Sequence, residues 1–186
     1  MRHAPNRLMA TLGLLAALAS PALADQTDER LPALFEQLET APDAVSSALI
    51  ERAIWEIWLE TDDERVGTLM ATGTSFLGLG RLEDALAAFD RMVETAPDFA
   101  EGWNKRATVH YLLGDYEQSL SDIETTLSLE PRHFGALSGR GLVYIRLQDL
   151  EQALVAFEET LAVGPAIESA RANIEALREA LGVRDI

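Results

Sequence analysis

The sequence predicts an all-α fold built from repeated helical hairpins, and three observations carry that prediction. Pro97, Pro131 and Pro165 stand 34 residues apart, each closing a helical pattern ("VETAP", "SLEP", "AVGP"). Gly80-Arg81, Gly114-Asp115 and Gln148-Asp149 interrupt good helix-forming sequence at the same phase. Between break and proline the apolar residues keep one spacing: Leu82, Leu86, Phe89, Val93; Tyr116, Leu120, Ile123, Leu127; Leu150, Leu154, Phe157, Leu161. Steps of 4, 3 and 4 trace one stripe down an α-helix. A fixed period of this length marks stacked supersecondary units.

Residues 1–24 stand apart from that pattern. Arg2 and Arg7 come with no acid, "LMATLGLLAALA" is apolar, and "SPALA" brings small residues at Ala22 and Ala24. The apolar run falls well short of the ~20 residues that span a bilayer. This is the layout of a secretory signal peptide with cleavage expected after Ala24. The expectation is therefore export across the inner membrane to a bacterial periplasm, with no membrane insertion afterwards. The chain has no Cys, which removes disulfides, thiol catalysis and thiolate metal sites.

Residues 25–65 read as an N-terminal helical hairpin. Leu31, Leu34, Phe35 and Leu38 share one face of a first helix, and "TAPD" makes its turn. The second helix, Ala44 to Thr61, is apolar over a wide arc that includes Ile54, Trp55, Ile57 and Trp58. So wide a face is buried on more than one side, and the hairpin is expected to stack on the repeat that follows it.

Three repeats come next, at residues 66–99, 100–133 and 134–167. Before each break the positions Leu69, Gly73, Phe76, Leu79; Trp103, Ala107, His110, Leu113; and Leu137, Gly141, Tyr144, Leu147 again lie on one helical face. Each unit is thus helix, tight turn, helix. Glycine suits the turn because it tolerates left-handed dihedrals, and aspartate can cap the next helix. Residues 168–186 form a last amphipathic helix, with Ala170, Ile174, Leu177 and Leu181 on one side. Its expected role is a solvating cap on the final repeat.

This pattern resembles the tetratricopeptide repeat family. The middle unit has Trp103, Ala107, Gly114, Asp115, Tyr116 and Pro131 at the family's signature places. Its neighbours bring Gly73, Phe76, Gly80, Ala85, Phe89 and Pro97, then Gly141, Tyr144, Ala153, Phe157 and Pro165. Thr72, Arg106 and Arg140 depart from an early Leu position. The resemblance implies a right-handed α-solenoid whose first helices line a concave groove and whose second helices form the outer wall.

That geometry gives the charges a place. The whole chain carries a formal charge of -16, which moves to -18 if the signal leaves, since residues 1–24 hold two basic residues and no acid. Such a chain repels nucleic acid and anionic membrane surfaces. Second helices hold ten acids (Glu83, Asp84, Asp90, Glu94, Glu117, Asp122, Glu124, Glu151, Glu158, Glu159) against Arg81 and Arg91. First helices hold Glu101 against Lys105, Arg106, Arg140 and Arg146. An acidic shell around a groove of opposite tendency is the expectation.

By the family's geometry the groove would carry Met70, Thr74, Leu77, Asn104, Lys105, Thr108, Tyr111, Leu112, Ser138, Leu142, Ile145 and Arg146. Leu142 and Ile145 could instead be covered by the C-terminal helix. A strip of Tyr and aliphatic groups with Asn and two cations suits an extended or helical peptide. The family's best-known subclass grips a terminal carboxylate with Lys, Asn and Arg. Here Met70, Thr74, Lys105, Gly135 and Gly139 hold those places, and only Lys105 fits, so that specificity does not transfer.

Residues for chemistry are sparse. His110 shares the register of Phe76 and Tyr144 and reads as a packing residue; His133 reads as an incidental loop residue. "TDDER" at 61–65 lacks the alternating carboxylates and Gly of a calcium loop. No cofactor, metal site or catalytic set is expected, and the chain is not expected to be an enzyme. The leading expectation is a protein-interaction scaffold or adaptor of the cell envelope. Two others are self-assembly through Trp55 and Trp58 of the N-terminal hairpin, giving a homodimer, and an accessory subunit of an envelope enzyme.

Overall fold

The computed structural model describes residues 28–182, so the signal expected at residues 1–24 lies outside them. These residues fold into an all-α solenoid of nine helices, with no strand among them. Helices α1 (Leu31–Glu39) and α2 (Ala44–Trp58) form the N-terminal hairpin. Helices α3 (Glu64–Gly78) with α4 (Leu82–Thr95), α5 (Ala100–Leu113) with α6 (Tyr116–Leu129), and α7 (Phe134–Arg146) with α8 (Leu150–Val163) form three successive hairpins, and α9 (Glu168–Leu181) packs on α8. No helix among the described residues is long and apolar enough to cross a membrane.

The breaks do what their residues allow. Gly80, Gly114 and Gln148 all take left-handed backbone, with φ of 70°, 88° and 62°. One residue on, the amides of Arg81, Asp115 and Asp149 donate to the carbonyls of Phe76, His110 and Tyr144 at 2.9, 2.9 and 3.0 Å. Carbonyls that would otherwise be orphaned at each helix end are thus satisfied. The Asp149 side chain then caps α8 through the Gln152 amide at 3.2 Å, whereas Asp115 makes no such cap and faces His110 instead.

Close approach of paired helices sets the packing. A Cβ on Gly73 would lie 2.5 Å from the Phe89 ring, and one on Gly141 would lie 2.6 Å from the Phe157 ring. Phe89 and Phe157 are fully buried there, and each such ring is worth about 1.5–3 kcal/mol.

The N-terminal hairpin does not stack on the first repeat. Its buried residues Leu31, Phe35, Leu38, Ile54, Ile57 and Trp58 join one core with Phe134, Phe157, Ile167, Ile174 and Leu177. Leu38 fits against Gly164, and Trp55 against Gly135. The chain thus sends its first two helices to its last repeat and its cap. The first repeat builds a separate core from Val66, Met70, Phe89, Met92 and Phe99, which Val109 of the second repeat completes.

Candidate functional site

Helices α5 and α7 run side by side on the inner surface and leave a half-open pocket of about 180 Å³ between them. Its walls include Asn104, Thr108, Tyr111, Ser138 and Leu142, five residues that the sequence places in the groove. The floor is Ala107, Ser119 and Ile123, and Gly135 and Gly139 complete the wall. These small residues carry little signal alone, yet they are why space exists: a Cβ on Gly139 would touch only Ile123 Cδ1, at 3.7 Å. Ser119 Oγ donates to the Ala107 carbonyl at 2.9 Å, so the floor's hydroxyl is satisfied within the protein.

The other expected groove residues divide. Leu112, half exposed, flanks Tyr111 on α5, and Arg146 follows Leu142 by one turn on α7. Ile145 packs toward the core that α9 helps to build, while Leu142 stays 38% exposed. Met70 and Leu77 belong to the first repeat's core, and Thr74 is exposed with its hydroxyl 3.8 Å from Met70 Sδ. None of the three α3 residues reaches the α5–α7 pocket.

At the Gly135 end the pocket meets the N-terminal hairpin. Trp55 Cζ2 stands where a Cβ on Gly135 would be, at 2.6 Å, and Lys105 Nζ lies 5.5 Å from the centre of the Trp55 ring. Trp55 and Trp58 meet edge to face at 5.4 Å, and both rings lie against Phe134, at 5.5 and 5.0 Å. With Trp58 2% exposed, these rings are engaged within the chain rather than forming the open face that self-assembly would need.

Behind Trp55 lies a buried polar network that the sequence reading missed. His133, which the sequence predicts to be an incidental loop residue, is fully buried and stacks on Trp58 at 4.1 Å with the rings 9° from parallel. Its Nδ1 accepts from the Ala136 amide at 3.1 Å, capping α7. The proton therefore sits on Nε2, which faces Glu101 Oε2 at 3.1 Å. Asn104 Nδ2 donates to the same oxygen at 2.9 Å, and Lys105 Nζ meets Glu101 Oε1 at 2.9 Å. Burial pushes the Glu101 carboxyl up, but the His133 hydrogen bond and the Lys105 charge outweigh it and hold its pKa below the usual value. A buried charge is tolerated when an opposite charge and hydrogen bonds meet it, here the Lys105 ammonium at Oε1 and the His133 and Asn104 groups at Oε2.

The cations also correct the picture of a positive groove. Arg106 turns to the outer helices: Nε and Nη2 grip both Asp122 oxygens at 2.7 Å, and Nη1 reaches Asp90 at 3.0 Å. Its guanidinium covers Trp103, and Asp122 holds its pKa above the ordinary arginine value. Arg140 pairs with Glu159, and Lys105 is neutralised by Glu101. The departures at Arg106 and Arg140 are ties between helix layers. Only Arg146 keeps an inner-face position without a carboxylate, among the described residues.

Comparison with known proteins agrees with this architecture. A tetratricopeptide-repeat family model matches residues 70–123 and 105–170. A TPR repeat-containing protein of Rhizobium etli is 35% identical over 96 residues, which is 52% of this chain and 47% of that protein. The chain thus spans about half the length of that curated relative. The first TPR of Spaghetti (RPAP3), solved bound to the HSP90 peptide SRMEEVD, superposes with a TM-score of 0.62 at 22% identity, covering 65% of this chain and 96% of that one. MamA superposes with a TM-score of 0.61 at 20% identity, covering 78% and 83%. At these identities the likeness is one of fold.

Proposed function

This chain belongs to the tetratricopeptide repeat family, and on that premise we propose that it is a non-catalytic adaptor that holds a peptide or protein partner in its α5–α7 groove. One observation carries the proposal: a pocket of about 180 Å³ on the inner surface, walled by Tyr111 and Leu142 with Asn104, Thr108 and Ser138 among them. Apolar walls with a few placed hydrogen-bonding groups are what a bound side chain needs. The peptide in the Spaghetti (RPAP3) structure supports a peptide as the class of partner. The basic, then apolar, then small-residue order of positions 1–24 supports a place in the bacterial cell envelope.

The test places a photocrosslinking amino acid at Thr108 or Leu142, and as a control at Glu117 on the outer wall. In intact cells the groove positions should yield a discrete adduct that Gly139→Leu, which fills the pocket, abolishes. An adduct formed from Glu117 and absent from both groove positions would put the partner on the outer face instead. N-terminal sequencing of the purified protein checks the envelope reading, with Asp25 expected as the first residue.

A further inference from the structure

Helices α5 and α7 carry four Lys and Arg side chains, and three of them face a carboxylate. Arg146 does not. Its Nε donates to Tyr116 Oη at 3.0 Å, and its Cζ stands 5.9 Å from the centre of the Tyr111 ring. The two tyrosine rings lie 6.1 Å apart. A neutral phenol orients the guanidinium but leaves its charge uncompensated, and four of its five N–H donors stay available.

This cation borders the pocket. Tyr111, whose ring it flanks, lines the cavity, as does Leu142 one turn earlier on α7. Leu142 keeps 38% of its surface exposed there. Trp55 stands at the Gly135 wall, and the Lys105 charge there is already answered by Glu101. The inner surface therefore offers an apolar cavity with one open positive charge at its rim, on a chain whose net charge is strongly negative.

From this arrangement we infer that the groove recognises a peptide segment in which an apolar side chain enters the α5–α7 pocket while an Asp or Glu side chain close by in the same segment pairs with Arg146. The inference rests on the peptide-groove reading and names the ligand chemistry that reading leaves open. A guanidinium held by Tyr116 meets a carboxylate in the two-pronged geometry that makes such pairs strong. Its orientation is fixed in advance, so less side-chain freedom is lost on binding.

The test pans the immobilised full chain against random dodecapeptides displayed at the N-terminus of a phage coat protein. Such peptides have no free C-terminal carboxylate, so any acidic preference comes from side chains. Recovered sequences should share an apolar residue with an Asp or Glu within about one helical turn or two extended residues of it. A labelled synthetic copy should bind Arg146→Gln about tenfold more weakly or worse, as anchoring arginines do. Replacing its acid by the amide should cause the same loss on the parent and no further loss on Arg146→Gln, the mark of a direct pair. Recovered sequences without an acidic preference, or losses that simply add, would overturn the pairing and leave the groove reading standing. If nothing is enriched on the parent, or Gly139→Leu binds the selected peptide as well as the parent does, both readings fall.

Discussion

Gly141 and Gln148 sit seven residues apart on the last repeat and fail in opposite ways when exchanged. Gly141 has no room for a side chain, since even a Cβ would meet the Phe157 ring at 2.6 Å. Gly141→Leu should lower stability by about 1–3 kcal/mol or more, the cost of overpacking a tight interior. Gln148 holds φ at 62°, where the other two turns use glycine. Gln148→Gly should raise stability by about 0.5–1 kcal/mol, the strain of a left-handed non-glycine residue less the extra chain entropy glycine loses. Thermal melts of the two variants should therefore bracket the parent; a Gly141→Leu melt level with it would mean the helices are not in contact there. Both positions were legible in the sequence, because the 34-residue phase aligned them with Gly73, Gly80 and Gly114. His133 was not legible. It has no counterpart at ligand spacing in the sequence, and its partners Glu101 and Trp58 are 32 and 75 residues away.

At the scale of helices, the periodicity located the repeats and their turns but not the partner of the N-terminal hairpin. The wide apolar arc of α2 says that Trp55 and Trp58 are buried; it carries no word on what covers them. The answer depends on Gly135 and Gly164, whose missing side chains receive Trp55 and Leu38, and on an aromatic patch at His133 and Phe134. For the same reason the α5–α7 pocket was legible through its walls and not through its floor. Trp58→Ala should cost about 3–5 kcal/mol, as large core truncations do. Its effect should fall on a distant part of the sequence. Hydrogen exchange should show amide protection lost in α1, α2, α7 and α8, and largely kept in α3 and α4, whose core is separate. Loss confined to α1–α3 would mean that the hairpin stacks on the first repeat after all.

For the whole molecule the acids outnumber the bases by 31 to 15. Exposed ion pairs such as Arg52–Glu56 and Arg81–Asp84 contribute little, so self-repulsion is the larger long-range effect. Raising the salt from about 10 mM to about 150 mM shortens the screening length from about 30 Å to about 8 Å. The melting temperature should rise over that range; a fall would show that pairs such as Arg106–Asp122 outweigh the repulsion. The return of the hairpin to the last repeat also has a meaning in time. The ribosome finishes α2 at Trp58, but the residues that cover it extend to Leu177, about 120 residues later. At about 5–20 residues per second, the core around Leu31, Leu38, Ile54 and Trp58 stays incomplete for roughly 6–24 seconds after Trp58 is made. The first helices made wait longest for their partners, and until then they have only each other to pack against.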